Sequence, residues 1–132
     1  MGNSFKMAMR RLAATVNVIT CESNGVPFGM TATAVTALSA DPESLLICIN
    51  RAARICATIE ERRAFCVNIL ATHHADVSQT FGGMAKGVER FDIGTWECAE
   101  TGLPYLVDAQ ANVFCDLDHF VSYGTHNVFL GV

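Results

Sequence analysis

Two short runs constrain this chain most: residues 45–50, Leu-Leu-Ile-Cys-Ile-Asn, and residues 64–70, Ala-Phe-Cys-Val-Asn-Ile-Leu. Both are nearly continuous in apolar residues and too short to make a useful helix, so each reads as a strand buried on both faces. Such strands need neighbours to pair with and layers to cover them. The remaining sequence offers mostly more strands. Val16, Val18 and Thr20 alternate with Asn17, Ile19 and Cys21, and Ser23-Asn24-Gly25 supplies a hairpin turn into residues 26–32. Residues 109–117 and 127–132 read as two further strands with a polar connection between them. Helical spacing is confined to three places: Phe5, Ala8, Met9, Leu12 and Ala13 behind Ser4 as N-cap, residues 52–61, and residues 74–81. Residues 82–102 are glycine-rich and irregular apart from 95–97. Many strands, few helices and no strand–helix alternation predict a mostly antiparallel β-barrel or sandwich with peripheral helices, a single domain over residues 1–132.

Composition removes several function classes. Of 132 residues 51% are hydrophobic and 17% charged, enough apolar surface to offset the entropy of ordering, so disorder is excluded. Lys+Arg 9 against Asp+Glu 13 gives a formal charge of -4 with no basic cluster, which argues against nucleic acid. Cys21, Cys48, Cys66 and Cys115 lie in apolar or alternating runs, where a thiol behaves as a small hydrophobe. No CxxC occurs and the Cys48–Cys56 spacing does not suit zinc, so no metal site is expected. Arg10 and Arg11 interrupt any signal-peptide core, and Lys6 stands where a myristoylation motif needs Ser or Thr. Lys6, Arg10 and Arg11 faintly resemble an organelle presequence, but the segment reads better as a helix. With no stretch long enough to span a bilayer, the expectation is a soluble, cytoplasmic protein without a membrane partner.

Motifs for hydrolysis and nucleotide folds are missing. There is no GxGxxG, GxSxG or HExxH, and Gly82-Gly83-Met84-Ala85-Lys86-Gly87 lacks the ending of a phosphate loop, so it reads as a flexible loop. His73 and His74 are adjacent and expected to point apart, at a solvated helix start. His119, among Asp116, Asp118 and Phe120, reads as a surface turn, whereas His126, between Gly124 and a strand, is placed to face a cleft. Residues 29–39, Gly-Met-Thr-Ala-Thr-Ala-Val-Thr-Ala-Leu-Ser, are packed with small side chains and hydroxyls. They suit either the close approach of a flat ligand or an ordinary strand, and composition leaves both readings open.

The ordered set of motifs resembles the flavin reductase family with the FMN-binding split-barrel fold, NAD(P)H:flavin oxidoreductases that serve two-component monooxygenases. The likeness runs from Phe5-Lys6-Met7-Ala8-Met9-Arg10-Arg11-Leu12-Ala13 through Val16–Thr20 to Gly29-Met30-Thr31-Ala32-Thr33-Ala34 and Ser39-Ala40-Asp41-Pro42, which resemble GMTxSxxxSvSxdPP. It continues through residues 45–57, Phe65-Cys66-Val67-Asn68-Ile69-Leu70, Phe81-Gly82-Gly83, Arg90-Phe91, and Gly124-Thr125-His126 with Phe129-Leu130-Gly131-Val132. Departures are Glu43 where a second proline is common, Ala53 and Ile55 where Ser and Thr are common, and Thr125 in place of Asp. Relatives also continue past the position of Val132 with a further strand, so the resemblance implies either a chain truncated before a last C-terminal strand or a last strand supplied differently.

The resemblance implies a split barrel that binds FMN or FAD and takes hydride from NADH or NADPH. It places the isoalloxazine edge against Met30, Thr31, Ala32, Thr33 and Ala34, and the ribityl phosphate near Ser39, Asn50, Arg51 and Arg54. Phe81, Arg90 and Phe91 would line the open side, and His126 would face the nicotinamide as the catalytic-site candidate. A homodimer and an oxygenase component that receives reduced flavin are the implied partners. The alternatives are a non-catalytic flavin carrier or sensor, and a flavin-dependent reductase of ferric iron or a corrinoid.

Overall fold

The computed structural model describes residues 2–12 and 14–132. After α1 (Gly2–Met9), the strands β1 (Asn17–Ser23) and β2 (Val26–Ala32) form the expected hairpin. Its turn explains it: Asn24 and Gly25 both take positive φ, 52° and 81°, which matches a two-residue turn to the twist of the strands. The rest of the main sheet is β3 (Val35–Ala40), β4 (Glu43–Asn50), β5 (Ala64–Ile69), β8 (Ala111–Tyr123) and β9 (His126–Gly131). Helix α2 (Arg54–Arg62) precedes β5, and α3 (Ala75–Gln79) follows it. A small hairpin of β6 (Trp96–Cys98) and β7 (Pro104–Leu106) completes the chain.

All neighbours in the seven-stranded sheet are antiparallel, in the order β2-β1-β5-β8-β9-β4-β3. Strands β2 and β3 are therefore opposite edges, although only Thr33 and Ala34 separate them in sequence. A flat sheet would hold those edges roughly 29 Å apart at ordinary strand spacing. A two-residue link reaches only about 10 Å. The sheet must curl until its edges approach, and β8 provides much of the bend. Its first half pairs with β5 and its second half with β9, with a register shift between Leu117 and His119.

The concave side encloses the main core, with Ile19, Ile47, Ile49, Phe65, Val67 and Phe129 at zero exposure, joined by Ile55 and Ile59 of α2. Val18 points the other way, into a second cluster with Leu70, Val77, Phe81 and Leu106. Strand β1 is thus covered on both sides, as is β5. Buried Asn68 ties the layers together. Its amide donates to the Val18 carbonyl at 2.9 Å, and its oxygen accepts from Leu106 N–H at 3.0 Å and from the Asn112 amide at 2.7 Å. Among the cysteines, burial pushes the Cys21 and Cys66 thiols up to about 12 and Cys115 to about 11, the apolar packing expected of them.

Several elements differ from expectation. Strand β4 is fully buried only at Ile47 and Ile49, with Leu45, Leu46 and Cys48 half-covered, because its outer face lacks a complete second layer. Helix α1 starts at Gly2, so Ser4 lies inside it, and Phe5, Met7, Met9 and Leu12 are exposed. Ala13 falls outside the described residues. Strand β8 runs on to Tyr123, so the connection to β9 is a tight turn at Gly124 and Thr125 and not a long polar loop, and His119 is in a strand. The irregular stretch contains the β6–β7 hairpin. An ideal Cβ on Gly131 would sit 2.7 Å from both Cys115 Cβ and Phe65 Cζ. Gly131→Ala is therefore expected to lower unfolding free energy by about 1–3 kcal/mol in a denaturant titration, the range for overpacking a rigid core.

Candidate functional site

The outer edge of β2 begins the site. Antiparallel strands turn alternate residues toward and away from the partner, and the two-residue turn makes Ser23 and Val26 a bonded pair. Pro27, Gly29 and Thr31 therefore direct their backbone groups outward. Pro27 has no N–H to leave unpaired. The Gly29 carbonyl accepts from Arg90 Nη1, which leaves the amides of Gly29 and Thr31 as outward donors.

The second wall is the start of α2. Ala53 is its N-cap without a side-chain cap bond, and no acid lies in the first turn, so the positive end of the helix is uncompensated. Asn50 Oδ1 accepts from Ala52 N–H at 2.8 Å and shapes the preceding turn.

Residues 80–92 form the third wall, a helical turn at Thr80–Met84 followed by another at Gly87–Asp92. Thr31 Oγ1 donates to the Ser78 carbonyl at 2.7 Å, and Arg90 Nε donates to Ala85 O at 2.8 Å. Phe81, Phe91 and Trp96 pack with ring centroids 5.0 Å apart in each pair. Gly29 is what lets them approach. A Cβ there would lie 2.7 Å from Phe81 Cε2 and 3.3 Å from Phe91 Cζ.

These walls enclose a cleft of about 430 Å³, whose ionisable lining residues are Arg54, Lys86 and Arg90, with no carboxylate among them. In a chain of net charge -4, that is a local concentration of positive charge suited to an anionic ligand. Burial pulls Arg90 below the ordinary arginine range. A larger cavity of about 730 Å³ lies within the curl on Val67, Ile69 and Val113, and among the described residues Glu43 is the charged side chain in its lining. Its chemistry is that of an open core.

Of the residues expected at a site, Met30, Thr31, Arg54, Phe81 and Arg90 line this cleft, and Phe91 supports it from behind Gly29. Ala32 packs against the core. Thr33 and Ala34 form the edge-to-edge link, their carbonyls accepting from Val35 at 2.9 Å and Cys48 at 3.0 Å. Ser39 stands apart, opposite Ser44 in register, with Oγ accepting from Asp41 N–H at 3.1 Å. Asn50 is six residues further along β4, roughly 20 Å away, so one phosphate cannot meet both. Asn50, Arg51 and His126 cluster beside the cleft without lining it. His126 pairs with Asn50 across β4 and β9, its carbonyl accepts from Arg51 Nη1 at 3.1 Å, and its Nδ1 lies 2.8 Å from Thr125 Oγ1. Lys86 and Gly87, which the sequence pattern assigns to a flexible loop, are in the wall. The signal available for Lys86 was its place between two glycines and an Arg-Phe pair.

The adjacent histidines do not point apart. Their ring centroids are 4.0 Å apart, and Nε2 of His73 and His74 lie 3.1 and 3.2 Å from the two Asp108 oxygens. Hydrogen bonds, from His73 foremost, hold the Asp108 carboxyl below its usual range. Buried His74 accepts Ala71 N–H on Nδ1 at 2.9 Å, so its Nε2 carries the proton and has no lone pair for a metal. The trio pins α3, and through it the Phe81 turn, to the loop after β7. Gly29→Ala is expected to displace Phe81 and Phe91, lowering stability by about 1–3 kcal/mol and shifting the emission of Trp96, the single tryptophan. Unchanged stability and emission would mean that the rings are not held against Gly29.

Against known proteins, the profile of the family described as "Flavin reductase like domain" matches residues 9–132. FMN reductase (NADH) RutF of Acinetobacter baylyi is 39% identical over 126 residues, 96% of this chain and 67% of that protein. The RutF of Pseudomonas syringae is 42% identical over 125 residues, 95% of this chain and 70% of that one. Among solved structures, flavin reductase PheA2 superposes with a TM-score of 0.89 at 33% identity, covering 99% of this chain and 83% of that one. BorF, the flavin reductase component of a bacterial two-component tryptophan halogenase, gives 0.89 at 27% identity with the same coverage, 99% and 83%. The chain belongs to the flavin reductase like domain family.

Proposed function

We propose that this protein is an NADH-dependent flavin reductase that supplies reduced flavin to a partner oxygenase. The observation that carries the reading is the cleft with outward β2 amides and only basic ionisable side chains, in a chain of this family. The names of relatives point the same way: FMN and NADH for the Acinetobacter protein, NADH and FAD for a Streptomyces globisporus oxidoreductase. When both are bound, hydride passes from nicotinamide C4 to flavin N5, oxidising NADH and, with a proton from solvent, giving the two-electron-reduced flavin.

The residues of this chain bind and orient. Gly29 and Thr31 N–H would be the donors to a flavin's ring carbonyls, and Met30 would supply apolar contact. Arg54 and the start of α2 would hold the phosphate, with Asn50 and Arg51 shaping that turn. Phe81 would help to keep water from the bound ring, braced from behind by Phe91. His126, on the rim, orients the nicotinamide and is a positioning residue. The curled sheet is then a split barrel. Exposed Phe5, Met7 and Met9 on α1, Leu12 just after it, and Phe114 at the mouth of the curl support a homodimer. No helix among the described residues is long and apolar enough to cross a membrane. Six free cysteines accord with a reducing, cytoplasmic setting.

The test is an absorbance titration with FMN and FAD, followed by NADH consumption with excess flavin. Turnover is expected. Tight flavin binding without turnover would make the protein a carrier or sensor, and no flavin binding would overturn the reading altogether. His126→Ala is expected to raise KM for NADH roughly tenfold while leaving flavin affinity in place, the size of one polar contact to a charged ligand. An unchanged KM for NADH would remove His126 from that role.

A further inference from the structure

We propose that Asn127 holds His126 in place, through a buried hydrogen-bonded bridge from β8 across β9 to α2, and is thereby a positioning residue for the nicotinamide. This deepens the flavin reductase reading and rests on it.

Alternate residues of β9 are buried, so Asn127 shares the inward face of the strand with Phe129 and Gly131. An amide only 1% exposed on that face is costly unless its polar atoms find partners. Both do. Ser122 Oγ donates to Asn127 Oδ1 at 2.7 Å, and Asn127 Nδ2 donates to Glu60 Oε2 at 3.0 Å and to Cys56 Sγ at 3.3 Å. Cys56 and Glu60 stand four residues apart on one face of α2, with Cys56 Sγ 3.7 Å from the same carboxylate oxygen. Burial foremost, and then the Glu60 charge, pushes the Cys56 thiol up, so it stays protonated and donates to that oxygen.

The bridge joins two parts of the site. Helix α2 opens with Arg54, which lines the cleft, and β9 opens with His126, the residue before Asn127. Arg51 fixes the backbone of the turn, its N–H donating to the Thr125 carbonyl at 2.9 Å and its Nη1 to the His126 carbonyl at 3.1 Å. Among the described residues, no side-chain hydrogen bonds but those of Asn127 tie β9 to α2. A leucine of similar size would pack on this face with no desolvation cost. What the amide adds is one fixed setting of strand against helix, because the network is satisfied in that setting alone.

The experiment compares Asn127→Leu, Glu60→Ala and Glu60→Gln with the wild type and with His126→Ala, the last also combined with Asn127→Leu. NADH oxidation with FMN gives KM for NADH, and absorbance titration gives FMN affinity. Imidazole resonances of the ligand-free proteins report on His126, assigned among the four histidines by their loss in His126→Ala. Asn127→Leu and Glu60→Ala should raise KM for NADH roughly tenfold, as losing His126 does, with FMN affinity changed by less than about twofold. Glu60→Gln keeps an oxygen for the Asn127 amide and should stay close to the wild type. Adding Asn127→Leu to His126→Ala should bring no further loss, and the His126 resonances should shift in Asn127→Leu and Glu60→Ala but not in Glu60→Gln.

Unshifted His126 resonances, or losses that multiply in the double variant, would overturn the proposal. So would a parallel loss of FMN affinity, the mark of a merely structural residue. A KM for NADH unmoved by His126→Ala would overturn it too, since nothing would be there to position. Should Asn127→Leu fail to fold, the exposed Glu60 carries the same test through its two variants. Were the wild type to turn over no flavin at all, the reductase reading would fail instead, and the resonances alone would decide whether Asn127 holds His126.

Discussion

The two-residue link at Thr33 and Ala34 governs the architecture, because it joins strands that are the opposite edges of one sheet. Curling follows from chain length alone. Curling in turn creates an inside, where β1, β4, β5, β8 and β9 place their apolar residues, and an outside where α3 and the β6–β7 hairpin cover β1 and β5. It also leaves β2 as a free edge beside the start of α2. A free edge is a liability in solution, and here it is managed by Pro27, by the Arg90 bond to Gly29 and by the cover of residues 80–92. The cleft is the part of that edge that the cover does not close.

Gly29 shows how packing and site share one residue. A glycine in a small-residue strand invites the thought that a ligand approaches its backbone, yet its hydrogen faces Phe81 and Phe91. The rings occupy the space, and the third wall settles close enough for Arg90 to reach the Gly29 carbonyl. His74 and Asp108 contribute from further off by fixing the helix that leads into Phe81. The geometry of the cleft depends on contacts that never touch its contents.

What could be read from sequence was local. Asn24-Gly25 announced its hairpin because the turn needs positive φ, and residues 64–69 announced a doubly covered strand because nothing in them was polar enough to face water except Asn68. The break between β2 and β3 was hidden, since Thr33-Ala34 carries no turn residue and the bend is imposed by the closing sheet. Ser39 and Asn50 looked like partners by motif order, and only the register of β3 on β4 shows them at opposite ends. Adjacent histidines converge because His74 turns inward at the start of α3 while His73 remains outside and reaches the same carboxylate. Lys86 gained meaning only once the fold placed it in the same cleft lining as Arg54 and Arg90.

The absence of a hydrolytic nucleophile motif agrees with this geometry. A hydride that moves between two bound cofactors needs alignment, shielding and a counter-charge more than a proton relay. The cleft offers amides in fixed positions on a strand, aromatic rings that exclude water, and cations without acids to quench them. The chain's net charge of -4 already counts these cations, so the rest of the protein is more acidic than the whole and disfavours non-specific anion binding. Positive charge unopposed by carboxylates in the cleft lining lets a mildly acidic protein favour an anionic ligand at that place.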